Sequence, residues 1–245
     1  MSGFEHPSSV ACDVWEQQFF VAQYGPEADP TATNDKGSII RVNYKGRILE
    51  RGALKQGEPF HRPSGILIAK SDVWLGDLDE VVHLNTERTE AERKQLPGVK
   101  YADHLTIDLA YGLYVTDSRT GVLDFVPNAE FWERWPGVKP APDATIYENG
   151  PIHPSGVFRP QNGGLFILGA GSAEKADGIY FMRPNMDPKY DPSHKMPPEL
   201  ISEKIGQLTS GARINDNEAL LTDKTTHTLL LWTKGHGVQT LASDF

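Results

Sequence analysis

Five copies of a unit that can form four short β-strands predict an all-β fold, a five-bladed β-propeller of four-stranded antiparallel blades around a central channel. Two further observations point the same way. The tetrapeptide PGVK recurs at 97–100 and 136–139, 39 residues apart, and the same 39 residues separate Ser64 from Asp103. Gly 23 and Pro 18 are spread along the 245 residues, which favours many short strands and turns over long helices. The alternative all-β solution is a β-sandwich with irregular strands.

The first half of each copy is a small polar residue, a short β run, a polar turn and a second β run. These stretches are HPSSVACDVWEQQFFVAQ (6–23), RPSGILIAKSDVWLGD (62–77), YADHLTIDLAYGLYVTD (101–117), HPSGVFRPQNGGLFILG (153–169) and LTSGARINDNEALLTD (208–223). A third run follows in each: SIIRVNY, EVVHLN, GVLDFV, GIYFMR and TLLLWT. A fourth is expected at RILERG (47–52), FWERW (131–135), ELISEKIG (199–206) and GVQTLA (237–242). In the second copy that place is taken by TERTEAERKQL, which reads as a short surface helix. Runs such as GILIA and LLLW are apolar on both faces, as suits a sheet packed between two others. The whole chain, 1–245, reads as one domain, with blades at about 6–55, 60–98, 100–140, 151–206 and 207–245. Blade one is expected to meet blade five by face packing, and no sixth blade is visible.

Composition bounds the partners. The formal charge is −9 and the pI about 5.4, with no Lys/Arg run, so nucleic acid is excluded as a partner. No 18-residue apolar stretch and no basic-then-apolar leader occurs in the chain as given, so a cytoplasmic protein without a membrane partner is expected. The single cysteine, Cys12, excludes an intramolecular disulfide, and its apolar surroundings suggest a buried thiol. Oligomeric state is not legible.

In a propeller the first strands begin at one face of the channel, where the loops between second and third strands also lie. That places 24–37 and 169–178 at the entrance, together with the interblade stretch 136–152, and puts 183–198 with His194 on the opposite face. Two residues before the aligned Ser8, Ser64, Asp103, Ser155 and Ser210 stand His6, Arg62, Tyr101, His153 and Leu208. His61 and His104 are next to them. Imidazole suits proton transfer near neutral pH and binds zinc-like metals. The candidate catalytic residues are therefore His104, His153, Asp103, Arg62 and Tyr101. Histidine would move a proton, Asp103 would orient it, Arg62 would hold an oxygen and Tyr101 would donate to one. Ser64, Ser155, Ser210, Tyr24 and Tyr147 are candidate substrate contacts. His6, His104 and His153 could converge on a single divalent metal; the other expectation is that there is no cofactor. Asp77, Asp117 and Asp223 close the second strands and are expected to cap the turn into the third. Trp74, Tyr114, Phe166 and Trp232 are expected in the core.

The stretches YADHLTIDLAYGLYVTDSRTGVLDFVP and RPSGILIAKSDVWLGDLDEVVHLN resemble blades of the gluconolactonase/regucalcin and NHL-type propeller superfamily. The resemblance runs blade by blade along most of the chain. In the gluconolactonase type it implies a divalent cation held by Glu, Asn and Asp near first-strand starts. Of the aligned positions here, Asp103 alone has that chemistry. Its lyase members, the peptidylglycine amidating lyase and the streptogramin lyase, imply channel histidines, with Arg or Tyr in the former. His6, Arg62, Tyr101, His104 and His153 match that set by residue type. The function expected is a small-molecule enzyme working by acid–base hydrolysis, elimination or isomerisation/cyclisation, a lactonase-like hydrolase, lyase or isomerase. The alternative is a non-enzymatic ligand- or carbohydrate-binding propeller. The five differing residues at the strand starts speak against the repeated pocket of a multivalent binder.

Overall fold

The computed structural model of the chain describes residues 3–54, 59–69, 72–85, 91–108, 112–127, 144–147, 152–160, 163–171, 177–183, 198–203 and 205–243. They form five four-stranded antiparallel sheets, each in simple sequence order, the fold class of a five-bladed β-propeller. The first sheet is β1 (Pro7–Asp13), β2 (Gln18–Gln23), β3 (Ser38–Asn43) and β4 (Ile48–Ala53). The second is β5 (Pro63–Ala69), β6 (Asp72–Asp77), β7 (Glu80–Asn85) and β8 (Ala91–Gln95). The third is β9 (His104–Asp108), β10 (Gly112–Asp117), β11 (Val122–Pro127) and β12 (Ala144–Tyr147). The fourth is β13 (Ile152–Phe158), β14 (Leu165–Gly171), β15 (Gly178–Met182) and β16 (Glu199–Glu203), and the fifth β17 (Leu208–Asn215), β18 (Glu218–Asp223), β19 (Thr228–Thr233) and β20 (Gly237–Ser243). Among the described residues no helix is long and apolar enough to cross a membrane.

Two outer strands differ from expectation. Ala91–Gln95 is a strand, where AERKQ has the composition of a helix. It pairs with β7 from Leu84↔Ala91 to Glu80↔Gln95, and the ladder outweighs a propensity of a few tenths of a kcal/mol per residue. In the third sheet the outer strand is Ala144–Tyr147, paired with β11 through Leu123↔Tyr147 and Phe125↔Ala144. FWERW lies outside the described residues, as do His194 and most of 183–198.

The chain divides into two compact units, Met1–Leu105 and Thr106–Phe245. In the first, β5 packs on β1 and β2. Phe20, Ala22 and Ile39 meet Ile66, Leu75, Val82 and Leu84 there, all 8% exposed or less. In the second, β13 packs on β10 and β11, and β17 on β13 and β14. Tyr114 and Phe125 join Ile167 and Tyr180 between the third and fourth sheets, while Phe166 and Leu168 join Trp232 and Leu221 between the fourth and fifth. Tyr114, Phe166 and Trp232 are thus core residues. Trp74 is half-buried and stacks on His83, with centroids 4.0 Å apart at 10°. Cys12 departs from expectation. It is exposed on β1, with Sγ 3.0 Å from the Tyr44 hydroxyl.

Candidate functional site

The first strands begin with a repeated irregularity that decides what the aligned residues do. Pro7↔Gln23, Pro63↔Asp77, Pro154↔Gly169 and Leu208↔Asp223 pair in register, and each ladder then slips at the next residue. The slipped residue is Ser8, Ser64, Ser155 or Thr209. Bulges re-aim side chains, and these turn onto backbone carbonyls. Ser8 Oγ lies 3.1 Å from Ala22 O and 2.5 Å from Pro63 O. Ser64 Oγ lies 3.3 Å from Gly76 O and bonds Ala102 O. Ser155 Oγ lies 3.2 Å from Leu168 O and bonds Leu208 O. Each hydroxyl thus bridges the second strand of its own sheet and the entry of another, so Ser64 and Ser155 act as structural clips. Thr209 Oγ1 approaches Thr222 O at 3.5 Å, which makes Thr209, and not Ser210, the fifth member of the series. The accepting carbonyls share a place in the chain: Pro63 precedes Ser64 and Leu208 precedes Thr209. Ala102 precedes Asp103 in the same way, so Asp103 occupies the clip position of the third sheet.

The same register fixes the strand-start series two residues earlier. Tyr24 N donates to His6 O at 3.1 Å, and Lys224 N donates to Gln207 O at 3.0 Å. The fifth member is therefore the exposed Gln207, while Leu208 is 1% exposed and in the core. Arg62 and His153 make one contact twice over. Arg62 Nη1 donates to Tyr24 O, and His153 Nδ1 donates to Ser118 O at 3.1 Å. Tyr24 follows Gln23 and Ser118 follows Asp117, so in each case the acceptor is the residue after a second strand.

In the first unit these features assemble into one cluster. The loop 24–37 of the first sheet meets the entry of the second at Phe60–Arg62. Gly37 N donates to Phe60 O at 3.0 Å, and a Cβ at Gly37 would strike Pro63 and the Phe60 and His61 carbonyls. The loop base is therefore seated directly on that backbone. Arg62 is fully buried, with its guanidinium on the Tyr24 carbonyl, 5.8 Å from the Tyr24 ring centroid and 3.4 Å from the 59%-exposed Glu27. Among the described residues its Nε has no hydrogen-bond partner. The Tyr24 and Tyr101 hydroxyls touch each other, Tyr24 half-buried and Tyr101 5% exposed. His6, at φ 51°, donates from Nδ1 to Gly25 O at 3.0 Å, the carbonyl after the one that holds Arg62. A ring nitrogen that donates to a carbonyl carries the proton, so Nε2 of His6, like that of His153 in the second unit, is the basic nitrogen of the neutral ring.

Arg62 thus acts on Tyr24 and not on a solvent-side oxygen, against expectation, because its side chain is sealed under the loop. His104 is half-buried at the start of β9. Desolvation lowers its imidazole below the usual range, partly offset by a backbone hydrogen bond at Asp103, so it is neutral at pH 7. Tyr147 lies in strand β12 and not in a loop. Among the described residues no three or more His, Cys, Asp or Glu side chains come together as metal ligands would, and His6 and His153 have their Nδ1 atoms turned to carbonyls instead.

The closing aspartates split. Asp117 Oδ1 accepts from Arg119 N at 2.9 Å and Thr120 N at 3.1 Å, and Asp223 Oδ1 accepts from Thr225 N at 2.8 Å, the expected turn caps. Asp77 instead holds the entry of its own sheet. Its oxygens accept from His61 N at 2.9 Å and Arg62 N at 2.5 Å. Gln23 does likewise, Oε1 accepting from Glu5 N at 3.0 Å. Burial pushes the Asp77 carboxyl up, against the lowering effect of those two amides and of His61 and Arg93. Sequence reasoning noticed His61 but missed its partner: His61 Nδ1 stands 2.7 Å from Asp35 Oδ1. The pair is 26 residues apart and shares no motif; only the seating of the loop brings it together.

No family model and no curated protein matches the chain. Solved structures do. A structure titled as the nidogen/laminin complex is similar over 97% of this chain and 79% of that one, with TM-score 0.67 and 12% identity. Virginiamycin B lyase from Staphylococcus aureus is similar over 98% and 85%, with TM-score 0.61 and 12% identity. Its inactive H270A form with quinupristin is similar over 96% and 83%, with TM-score 0.58 and 12% identity. At that identity the likeness is one of fold, and it agrees with the five sheets: the chain is a β-propeller.

Proposed function

We propose that the chain is a small-molecule enzyme of the lyase type, with its acid at the Tyr24–Tyr101 pair. The observation that carries this is the pair itself: two phenols in direct contact, one reaching solvent, over a buried guanidinium. A phenol that gives up its proton leaves an oxyanion. Tyr101 can donate to that oxyanion and Arg62 lies against its ring, so charge developing on Tyr24 is met by groups already in place. His104, neutral through desolvation, is a candidate proton acceptor at a strand start, and Asp103 sits beside it. A lyase among the similar folds supports elimination over hydrolysis as the first reaction to test.

Quinupristin, the compound in one of those structures, is a concrete probe. Incubation with the purified chain, followed by mass spectrometry, should give a product of unchanged mass, because elimination adds no water; hydrolysis adds one. Tyr24→Phe should slow turnover by roughly 10²-fold or more. Binding by calorimetry without any product would instead favour the non-enzymatic ligand-binding reading. Turnover that Tyr24→Phe and Tyr101→Phe leave untouched would remove the phenol pair from the chemistry.

A further inference from the structure

We propose that His61 and Asp35 form the base dyad of the same site, His61 Nε2 taking the proton and Asp35 holding Nδ1–H. The idea rests on the acid–base reading for its purpose, though not for its measurement.

Four observations carry it. Asp35 Oδ1 is 2.7 Å from His61 Nδ1. That nitrogen is shielded from solvent, and its present ring angle does not complete a hydrogen bond. A shielded N–H needs an acceptor, and the Asp35 carboxylate is the one within reach of it among the described residues. The side chains nevertheless reach solvent, 37% for His61 and 53% for Asp35, so the far nitrogen can meet a substrate. Both ends are built in place. His61 has its amide on the buried Asp77, while Asp35 adopts φ 57° two residues before Gly37, which is seated on the Phe60 carbonyl. Non-glycine residues held at such angles concentrate at functional sites. Arg62, which braces Tyr24, is the next residue in the chain.

The arrangement has the logic of a histidine whose tautomer is fixed by a carboxylate. In an elimination, Nε2 takes the proton from the carbon beside the breaking bond. The C–H electron pair becomes the new double bond, the C–O pair leaves on oxygen, and Tyr24 protonates that oxygen. His61 then returns a proton to Tyr24 through solvent, so no co-reactant is needed. Asp35 stays ionised throughout and is a positioning residue. Among the described residues, the charged groups linked to His61 and its neighbour Arg62 are Asp77, which accepts the His61 amide, Arg93 through Asp77, and Glu27 through Arg62. Asp77 is 3.8 Å from Arg93, and Glu27 is 3.4 Å from Arg62.

The test is ¹⁵N NMR of the imidazoles in the full chain, with His61 assigned by loss of its signals in His61→Gln. The parent protein should show His61 protonated at Nδ1 and bare at Nε2. Asp35→Asn should move most of the population to the opposite tautomer, because the amide can donate to Nδ1, and Asp35→Glu should restore it in part. A parent His61 protonated at Nε2, or a tautomer that ignores Asp35→Asn, overturns the dyad, and the parent measurement needs no variant to fold. If quinupristin is turned over, Asp35→Asn should cut kcat by roughly 10²–10⁴-fold. If it is not, the tautomer result still stands, so failure of the dyad and failure of the lyase reading are separate outcomes.

Discussion

The hydroxyl of Ser64 shows how little room a buried side chain has for choice. At 4% exposure, its proton has the Ala102 and Gly76 carbonyls to serve. Ser64→Ala should lower stability by about 1 kcal/mol, the net worth of one hydrogen bond, plus a share for the carbonyl left behind. Ser8→Ala, at a half-buried site, should cost less; urea midpoints compare the two. Asp77 makes a pH prediction. Its folded pKa is raised by burial, so the folded state binds its proton more tightly than the unfolded chain. That contribution is whole below the ordinary carboxylate range and is lost as pH rises from there through the raised folded value. Glu80 is raised by the same cause, opposed by Arg93, and adds in the same direction. Urea midpoints measured upward from pH 4 should show this decline, and Asp77→Asn should flatten it. At this scale the sequence was a partial guide. Serines recurring at one place do announce a shared role, but periodicity cannot separate a clip from a ligand contact. In the fifth sheet a threonine stands at the bulge and a serine follows it, which hid Thr209 and Gln207 behind Ser210 and Leu208.

Strands were easier to read than side chains, because alternation and turn residues are local while partners are not. The third runs of all five copies fall within a residue or two of β3, β7, β11, β15 and β19. β8 is the instructive failure. AERKQ carries helix formers, yet β7 offers an edge, and Arg93 crosses to Glu80, which is 8% exposed. Arg93→Met should therefore cost roughly 3 kcal/mol, the low end for breaking a buried pair, since among the described residues Glu80 then keeps Gln95 alone, at 3.3 Å. Chemical denaturation of that variant, with Glu80→Gln added as a second change, should recover part of the loss. A Cβ at Gly76 would collide with the Ala102 carbonyl, so Gly76→Ala should cost about 1–3 kcal/mol by forcing β6 and the entry of β9 apart.

For the whole molecule, recurrence was the signal that survived. A 39-residue spacing between two copies, with three runs legible in all five copies and a fourth in four of them, gave the class of fold, while the 12% identity of its structural likenesses leaves the chemistry to be argued from side chains. The Asp35–His61 pair was beyond reach of any such reading, since its residues belong to different copies. Each unit has its own interior. Leu75→Ala in the first and Trp232→Ala in the second should each cost about 2–5 kcal/mol. Tryptophan fluorescence against urea would show whether the two losses move one transition or two.

The clips also set the terms on which such a chain can grow or shrink. Because the slipped residue of one sheet closes onto the carbonyl just ahead of the next one it meets, as Ser8 does on Pro63, Ser64 on Ala102 and Ser155 on Leu208, the natural seam lies between that carbonyl and the hydroxyl that follows it. A cassette cut at two such seams carries a fastener at its head and a catch at its tail. Gene segments that part a hydroxyl from its carbonyl would leave a fastener without a catch, so recombinants that splice whole cassettes should be more stable, by about 1 kcal/mol for each clip kept, than those that break one.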